Sequence, residues 1–155
     1  MKISLALFIL FFCRESIAQK TAPALQRNES NIYFQAIDQY LHRMEKEEKK
    51  TDTLFLESNN TITDSILSEC RHTKLVKLSS TQLKDRLKKG RSVNLYRILP
   101  LEIRDGKLAV TVIPFGCGFN KAKRKYEWLN GGNFVVLFQF DGEQIVFRDM
   151  EQHGI

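Results

Sequence analysis

The first regular pattern of apolar and polar residues begins near Asn28 or Ser30, either of which can cap a helix, and it continues to about Lys50. The apolar positions recur at helical spacing and fall within an arc of about 100° on a helical wheel. They are Tyr33, Ile37, Tyr40, Leu41 and Met44. The pattern predicts one amphipathic helix whose apolar side lies on a core.

Shorter patterns follow this helix. Leu54 to Leu56 and Leu75 to Leu78 are apolar segments that indicate short strands, whereas residues 58–72 have no clear period. Ser79 to Gln82 has the spacing of a capping box, in which a serine and a glutamine satisfy the first backbone groups of a helix. Gly90 is suited to end that helix. We therefore expect one extra short helix here.

Two Asp-Gly pairs indicate hairpins in the second half of the chain. At Asp105-Gly106, the predicted register pairs Ile103 with Leu108, Leu101 with Val110, and Leu99 with Val112. At Asp141-Gly142, it pairs Phe138 with Ile145 and Val136 with Phe147. In both hairpins the apolar residues then share one face, and a slip of one residue would destroy that sorting.

A further strand is predicted near Arg124 to Trp128, and a turn at Asn130 to Asn133 joins it to the second hairpin. The C-terminal half then forms an antiparallel meander of about five strands. The predicted fold class is α+β, with a long N-terminal amphipathic helix packed on a curved antiparallel β-meander and one extra short helix.

The N-terminus has the pattern of a secretory signal peptide. Lys2 is followed by an unbroken apolar run from Ile3 to Cys13 and by the small residues Ser16 and Ala18. The run is too short to cross a hydrocarbon core, which needs about 20 apolar residues. We expect a signal peptide at 1–18, a leader at 19–28 and a single α+β domain at 29–155. The mature protein would be exported, periplasmic or secreted after cleavage near Ala18, without a transmembrane segment.

Composition narrows the function classes. A hydrophobic content of 43% and a charged content of 27% are ordinary for a globular protein and exclude a wholly disordered chain. The formal net charge of +6 favours an anionic ligand or a cell-envelope component as partner. It is too small and too dispersed along the chain to indicate a nucleic-acid partner.

Cys70 and Cys117 remain after signal cleavage, and an even pair in an exported protein is a candidate disulfide. The alternative is two separate, buried and unreactive thiols. None of the three histidines forms a recognisable motif with Cys117, so we predict no catalytic residue. The pair Cys70 and His72 lacks the second doublet of a zinc site, and we predict no metal and no cofactor.

A basic run with interleaved aromatic residues is the best candidate for a binding site. Its predicted binding residues are Phe119, Lys121, Arg124, Tyr126 and Trp128. Positive charge attracts anions, and exposed aromatic rings can stack on flat ligands. The alternative is structural: the aromatic residues of this strand face the core, and its lysines line a solvent face that protects an edge strand from aggregation.

The phrases ILPLEIRDGKLAVTVIPFG (98–116) and GGNFVVLFQFDGEQIVFRDMEQHGI (131–155), with the export signal and the single long helix, resemble small exported bacterial proteins of unassigned function. The order of elements also resembles cystatin-like and nuclear-transport-factor-2-like folds. Such folds serve both enzymes and binding modules. We expect a non-enzymatic binding or interaction module. The alternative is an enzyme with a pocket between the first helix and the sheet, into which polar groups, Arg97 among them, would point.

Overall fold

The computed structural model describes residues 31–59 and 62–154. About half of these residues lie in strands and a fifth in helices. The helices are α1 (Ile32–Lys46) and α2 (Ser80–Lys88). The strands are β1 (Thr53–Glu57), β2 (Glu69–Cys70), β3 (Thr73–Leu78), β4 (Val93–Ile98), β5 (Glu102–Arg104), β6 (Lys107–Asn120), β7 (Lys125–Asn130), β8 (Asn133–Asp141) and β9 (Gln144–His153).

These strands form one mixed sheet in the order β2-β3-β1-β4-β6-β8-β9. β1 is parallel to both of its neighbours, β3 and β4, and the other pairs are antiparallel. β6 is the long central strand: β4 and β5 pair along one of its edges, and β8 and β7 pair along the other.

The predicted fold class was therefore wrong. The sheet is mixed rather than a purely antiparallel meander, and α1 spans 15 residues and covers only one of its faces. α2 connects β3 to β4 and packs on the opposite face, so the helices lie on both sides of the sheet. The parallel pairs were missed because short apolar strands do not disclose their partners in the sequence.

α1 begins after Asn31, whose side-chain oxygen accepts hydrogen bonds from the backbone of Tyr33 at 3.0 Å and Phe34 at 3.2 Å. The helix thus starts later than expected, and it ends at Lys46 instead of near Lys50. Its buried side is the predicted apolar arc, which packs on β1, β4, β6 and β8. The side chains at the centre of this core cluster are Ile37, Tyr40, Leu41, Leu56, Val110 and Phe138.

The capping box of α2 is confirmed. Ser79 accepts a hydrogen bond from the backbone N–H of Gln82 at 3.2 Å, and the Gln82 side chain accepts one from Ser79 at 2.9 Å. Gly90 follows the helix with a φ of +77°, as expected of a terminating glycine. The buried helix residues Leu83 and Leu87 pack on the second sheet face. Their partners in this second core cluster are Leu78, Val93, Leu95 and Cys117.

The first hairpin is confirmed at its turn but not along its whole length. Asp105 and Gly106 both have positive φ, and Ile103 lies opposite Leu108. Further out the register shifts by one residue, because Ile98, rather than Leu99, lies opposite Val112. The shift occurs around Pro100, which cannot donate a ladder hydrogen bond. Leu101 and Ile103 are exposed, Ile103 by 77%, although Ile103 keeps its predicted partner.

The predicted register of the second hairpin was wrong by two residues next to the turn, and by three beyond the irregularity at Leu137/Phe138, where Val136 lies opposite Met150 rather than Phe147. The turn closes between Asp141 and Gln144, so Phe140 lies opposite Ile145 and Phe138 opposite Phe147. Gly142, with a φ of +61°, is the first central residue of the turn, the position that a type II′ turn reserves for glycine. A shift by two residues keeps each side chain on its face, and the predicted apolar face survives for this reason.

The predicted strand at 124–128 is β7, Lys125–Asn130. The segment from Asn130 to Asn133 joins it to β8, as expected, but both strands pair with the same edge of β6. The backbone N–H of Gly131 donates to the carbonyl of Pro114 at 3.0 Å at this junction. β7 and β8 are thus two parts of one long partner of β6.

The expected signal peptide (1–18) and leader (19–28) lie outside the described residues. Neither α1 nor α2 has both the length and the apolar character needed to cross a membrane.

Candidate functional site

The five predicted binding residues lie at one end of the sheet. Phe119 is near the end of β6, Lys121 and Arg124 are in the β6–β7 turn, and Tyr126 and Trp128 lie on β7. Phe119 and Tyr126 lie opposite each other, and their ring centroids are 5.1 Å apart. The fold therefore keeps the predicted residues together, with the aromatic side chains on the face that carries α2.

Tyr126 and Trp128 form one wall of a groove whose other wall is α2. The groove has a volume of about 210 Å³ and is lined mainly by apolar atoms. The remaining lining residues are Glu57, Leu78, Ser80, Leu83, Lys84 and Leu87. Tyr126 packs on the second core cluster, as the structural alternative proposed, whereas Trp128 is 47% exposed. Trp128 is therefore both a wall of the groove and a surface residue.

One end of the groove carries a neutralised ion pair. Glu57 accepts two hydrogen bonds from Arg97, and the bond from the Arg97 Nη2 atom measures 3.1 Å. These bonds raise the pKa of Arg97 above its usual value. The guanidinium also lies 5.0 Å above the ring of Phe115, which meets Trp128 edge to face at 6.4 Å. Glu57 is the only acid among the lining residues, and its charge is compensated.

The other end of the groove is basic. The Nζ atom of Lys121 lies within 3.8 Å of the position that a Cβ on Gly90 would take, so the β6–β7 turn meets the end of α2. These two adjoining segments carry seven cations: Lys88, Lys89, Arg91, Lys121, Lys123, Arg124 and Lys125. We call this set the basic end. None of the seven forms an ion pair with another residue of 31–59 or 62–154.

The β6–β7 turn is held by Asn120. Its side-chain oxygen accepts from the backbone of Lys123 at 3.0 Å, and its amide donates to Glu127 at 2.9 Å. Arg124 has a φ of +51° and turns the chain into β7. The sequence pattern predicted Lys121 and Arg124 as binding residues but not the turn that carries them. The cations that follow α2 were also missed, although the run KKGR at 88–91 is visible in the sequence.

The candidate disulfide was wrong. Cys70 and Cys117 are free, and they are buried in core clusters on opposite faces of the sheet. Burial, and then the nearby carboxylate of Asp38, raises the pKa of Cys70 to about 12. Burial also raises the pKa of Cys117. Both thiols are therefore protonated at neutral pH, a state in which cysteine is a poor nucleophile.

Asp38 on α1 has partners in the β2–β3 hairpin. Its carboxylate accepts two hydrogen bonds from Arg71, at 2.6 and 3.2 Å, and one from the thiol of Cys70 at 3.6 Å. These bonds tie α1 to the β2–β3 hairpin. No cluster of three metal-binding side chains occurs within the described ranges.

Aromatic rings pack between α1 and the sheet. Tyr40 contacts the rings of Tyr96 and Phe134, with centroids 5.5 and 5.0 Å away. Burial raises the pKa of Tyr40 above its usual range. The enzyme hypothesis expected Arg97 to point into a pocket on this face. Its side chain lies on the opposite face of the sheet, where it pairs with Glu57. A cavity of about 290 Å³ remains beside these rings at the C-terminal end of α1, and its polar lining residues include Glu47, Lys49, Asn94 and Gln152. The enzyme hypothesis stays a prediction.

Searches against family models, curated proteins and solved structures found no match for the chain. The resemblance to small exported bacterial proteins and to cystatin-like or nuclear-transport-factor-2-like folds stays a prediction.

Proposed function

We propose that this protein is a non-enzymatic binding module of the cell envelope that recognises an anionic ligand through its basic end. The observation that carries the proposal is the convergence of cations from two separate segments, the end of α2 and the β6–β7 turn, without ion pairs among the described residues. Like charges held close together repel one another, and a bound anion removes that repulsion.

The chemistry elsewhere in the molecule supports binding rather than catalysis. The two buried thiols have raised pKa values, and the core beneath α1 is packed with aromatic rings. Activated nucleophiles generally need a lowered pKa or an adjacent base. The proposal thus assigns the basic end a role in electrostatic recognition and assigns no residue a catalytic role.

The test uses inorganic polyphosphate as a soluble polyanion. We expect the protein to bind it in titration calorimetry at low salt and to lose affinity as salt rises, because exposed charges are screened. A variant that combines Lys121→Gln, Lys123→Gln and Lys125→Gln should bind about tenfold more weakly, since each exposed pair contributes about 0.5 kcal/mol.

A matched control removes the same number of charges elsewhere: Lys46→Gln, Lys50→Gln and Lys107→Gln. This control variant should bind nearly as well as the unaltered protein. Equal losses in the two variants would show that net charge alone drives binding, and the basic end would then have no special role.

Export is part of the same proposal, supported by the pattern from Lys2 to Ala18. N-terminal sequencing of the protein recovered from the periplasm or the medium is expected to begin near Gln19. Recovery of the full-length chain from the cytoplasm alone would contradict export.

A further inference from the structure

We propose that the groove between α2 and β7 binds the hydrocarbon chain of a single-chain anionic amphiphile, whose head group lies on the basic end. The inference rests on the proposed function, because the basic end supplies the anion site. It goes further by naming the ligand class: a carboxylate, sulfate or phosphate attached to one acyl or alkyl chain.

The groove has the chemistry of a site for a hydrocarbon chain. Leu78, Leu83 and Leu87 supply aliphatic surface, and Tyr126 and Trp128 supply aromatic surface opposite them. Its exposed area is predominantly apolar, so filling it removes apolar surface from water, a gain of roughly 25 cal/mol per Å². Concave apolar sites with a few polar groups at the end are typical of small-ligand sites.

The charges at the two ends set the direction of the ligand. Leu87 lines the groove three residues before Gly90, where the end of α2 meets Lys121, and Tyr126 on the other wall follows the β6–β7 turn. The groove thus leads straight into the basic end. At its other end, Arg97 is already engaged by Glu57 and by the ring of Phe115. Lys84 lines the groove itself, one helical turn before Lys88, and the other nearby cations without an ion pair among the described residues belong to the basic end, so an anionic head group is attracted toward that end.

A narrow groove that joins a one-sided cluster of cations fits one chain with one charged head. A broad protein partner or a second copy would need a larger apolar surface than this groove offers, since stable interfaces bury about 1,200 Å² or more in total. Trp128 is held edge to face by Phe115, so the wall of the groove is formed before any ligand binds.

The test uses dodecanoate as the probe, and the fluorescence of Trp128, the only tryptophan of the chain, as the signal. Trp128 is nearly half exposed, so an alkyl chain beside it should shift its emission to shorter wavelength. We expect dodecanoate to produce this shift in a saturable manner and inorganic phosphate to produce none. The uncharged dodecanol should bind about tenfold more weakly; equal binding of both would overturn the assignment of the head group.

The variants Trp128→Ala and Leu129→Ala form a matched pair. The two residues are adjacent on β7, but Leu129 is 74% exposed and lies beside Gly116, outside the groove. In titration calorimetry we expect Trp128→Ala to weaken dodecanoate binding by about tenfold and Leu129→Ala to leave it unchanged. Both are substitutions of partly exposed residues, and circular dichroism will confirm that the variants are folded.

Failure of this inference is distinguishable from failure of the proposed function. Binding of polyphosphate without binding of dodecanoate would overturn the chain site and leave the anion site standing. Loss of dodecanoate binding in Trp128→Ala with unchanged polyphosphate binding would support both. If the protein binds neither probe, both proposals are wrong.

Discussion

Glu57 and Arg97 form a two-point ion pair at the end of the groove, across the parallel strands β1 and β4. The pair has the fork-to-fork geometry that makes arginine–carboxylate contacts specific. Its side chains are nevertheless partly open to solvent, by 43% for Arg97 and 31% for Glu57. The pair is therefore expected to fix the position of Arg97 above Phe115 more than to stabilise the fold.

This leads to the first prediction. Glu57→Gln should lower the free energy of unfolding by only about 0.5–1 kcal/mol, because solvent and the ring of Phe115 still compensate the guanidinium. Urea unfolding monitored by circular dichroism measures the change.

The control is Glu102→Gln, which breaks the exposed contact between Glu102 and Arg104 near the tip of the first hairpin. We expect a loss below about 0.5 kcal/mol, as for most surface pairs. A loss of several kcal/mol in Glu57→Gln would contradict the view that this pair chiefly positions Arg97.

A second prediction concerns the state of the thiols. Iodoacetamide without reductant should modify both Cys70 and Cys117 in the denatured protein, because they lie on opposite sheet faces and are free. In the folded protein both should react far more slowly, since each is buried and protonated. Mass spectrometry counts the added groups, and a denatured chain without any modified thiol would contradict the structure.

The features that sequence reasoning predicted correctly depend on residues close together in the chain. The capping box of α2 joins Ser79 to Gln82, and the first hairpin turn needs only two residues with positive φ at Asp105-Gly106. Local chemistry of this kind is encoded in a few neighbouring positions, so it survives changes in the surrounding fold.

The sheet order and the far ends of the hairpins were not predictable in this way. The register changes near Pro100 and between Leu137 and Phe138, and no turn residue in the sequence marks either position. The position of β1 between β3 and β4 depends on contacts between residues far apart in the chain. The residues of β1 are equally suited to other neighbouring strands.

Only one wall of the candidate site, with its neighbouring cations, was predicted from the sequence. The aromatic and basic residues from Phe119 to Trp128 form a continuous sequence pattern and were found. The opposite wall of the groove, with Leu83 and Leu87, and the cations after α2 belong to a segment about 40 residues earlier. Only the packing of α2 on this face of the sheet brings the two segments together, and neither segment alone indicates the other.

The third prediction concerns stability in alkaline solution. In the unfolded chain Cys70 should lose its proton near its ordinary pKa of 9.0, whereas in the folded protein burial and Asp38 raise that pKa to about 12. Between these values the folded state holds one more proton, so raising the pH favours unfolding. The cost from this thiol approaches about 1.4 kcal/mol for each pH unit and amounts to about 1 kcal/mol between pH 9 and pH 10.

The measurement compares the free energy of unfolding at pH 9 and pH 10 for the unaltered protein and for Cys70→Ala. The variant should show the smaller decline over this interval, whatever its absolute stability. The interval ends at pH 10 because buried Tyr40, whose ordinary pKa is 10.0, adds a decline of the same sign above it. Equal slopes would contradict the raised pKa of Cys70.

The last prediction tests the strained turn between β2 and β3. Arg71 and His72 are its central residues, with φ values of +47° and +63° in a region that favours glycine. Such a conformation costs an ordinary residue about 1–2 kcal/mol. Arg71 must remain because it binds Asp38, so the informative change is His72→Gly.

Relief of strain in His72→Gly is partly offset by the greater freedom of glycine in the unfolded chain, about 0.4–1 kcal/mol. We therefore expect a net stabilisation of about 0.5 kcal/mol, seen as a small rise in melting temperature. The reverse control is Gly106→Ala at a φ of +74°, where an added Cβ would meet no atom within 4 Å. That variant should lose about 1 kcal/mol from backbone strain alone. His72→Gly and Gly106→Ala change equivalent turn positions in opposite directions. If both variants lose stability, the contacts of the His72 side chain outweigh its backbone strain, and the prediction is wrong.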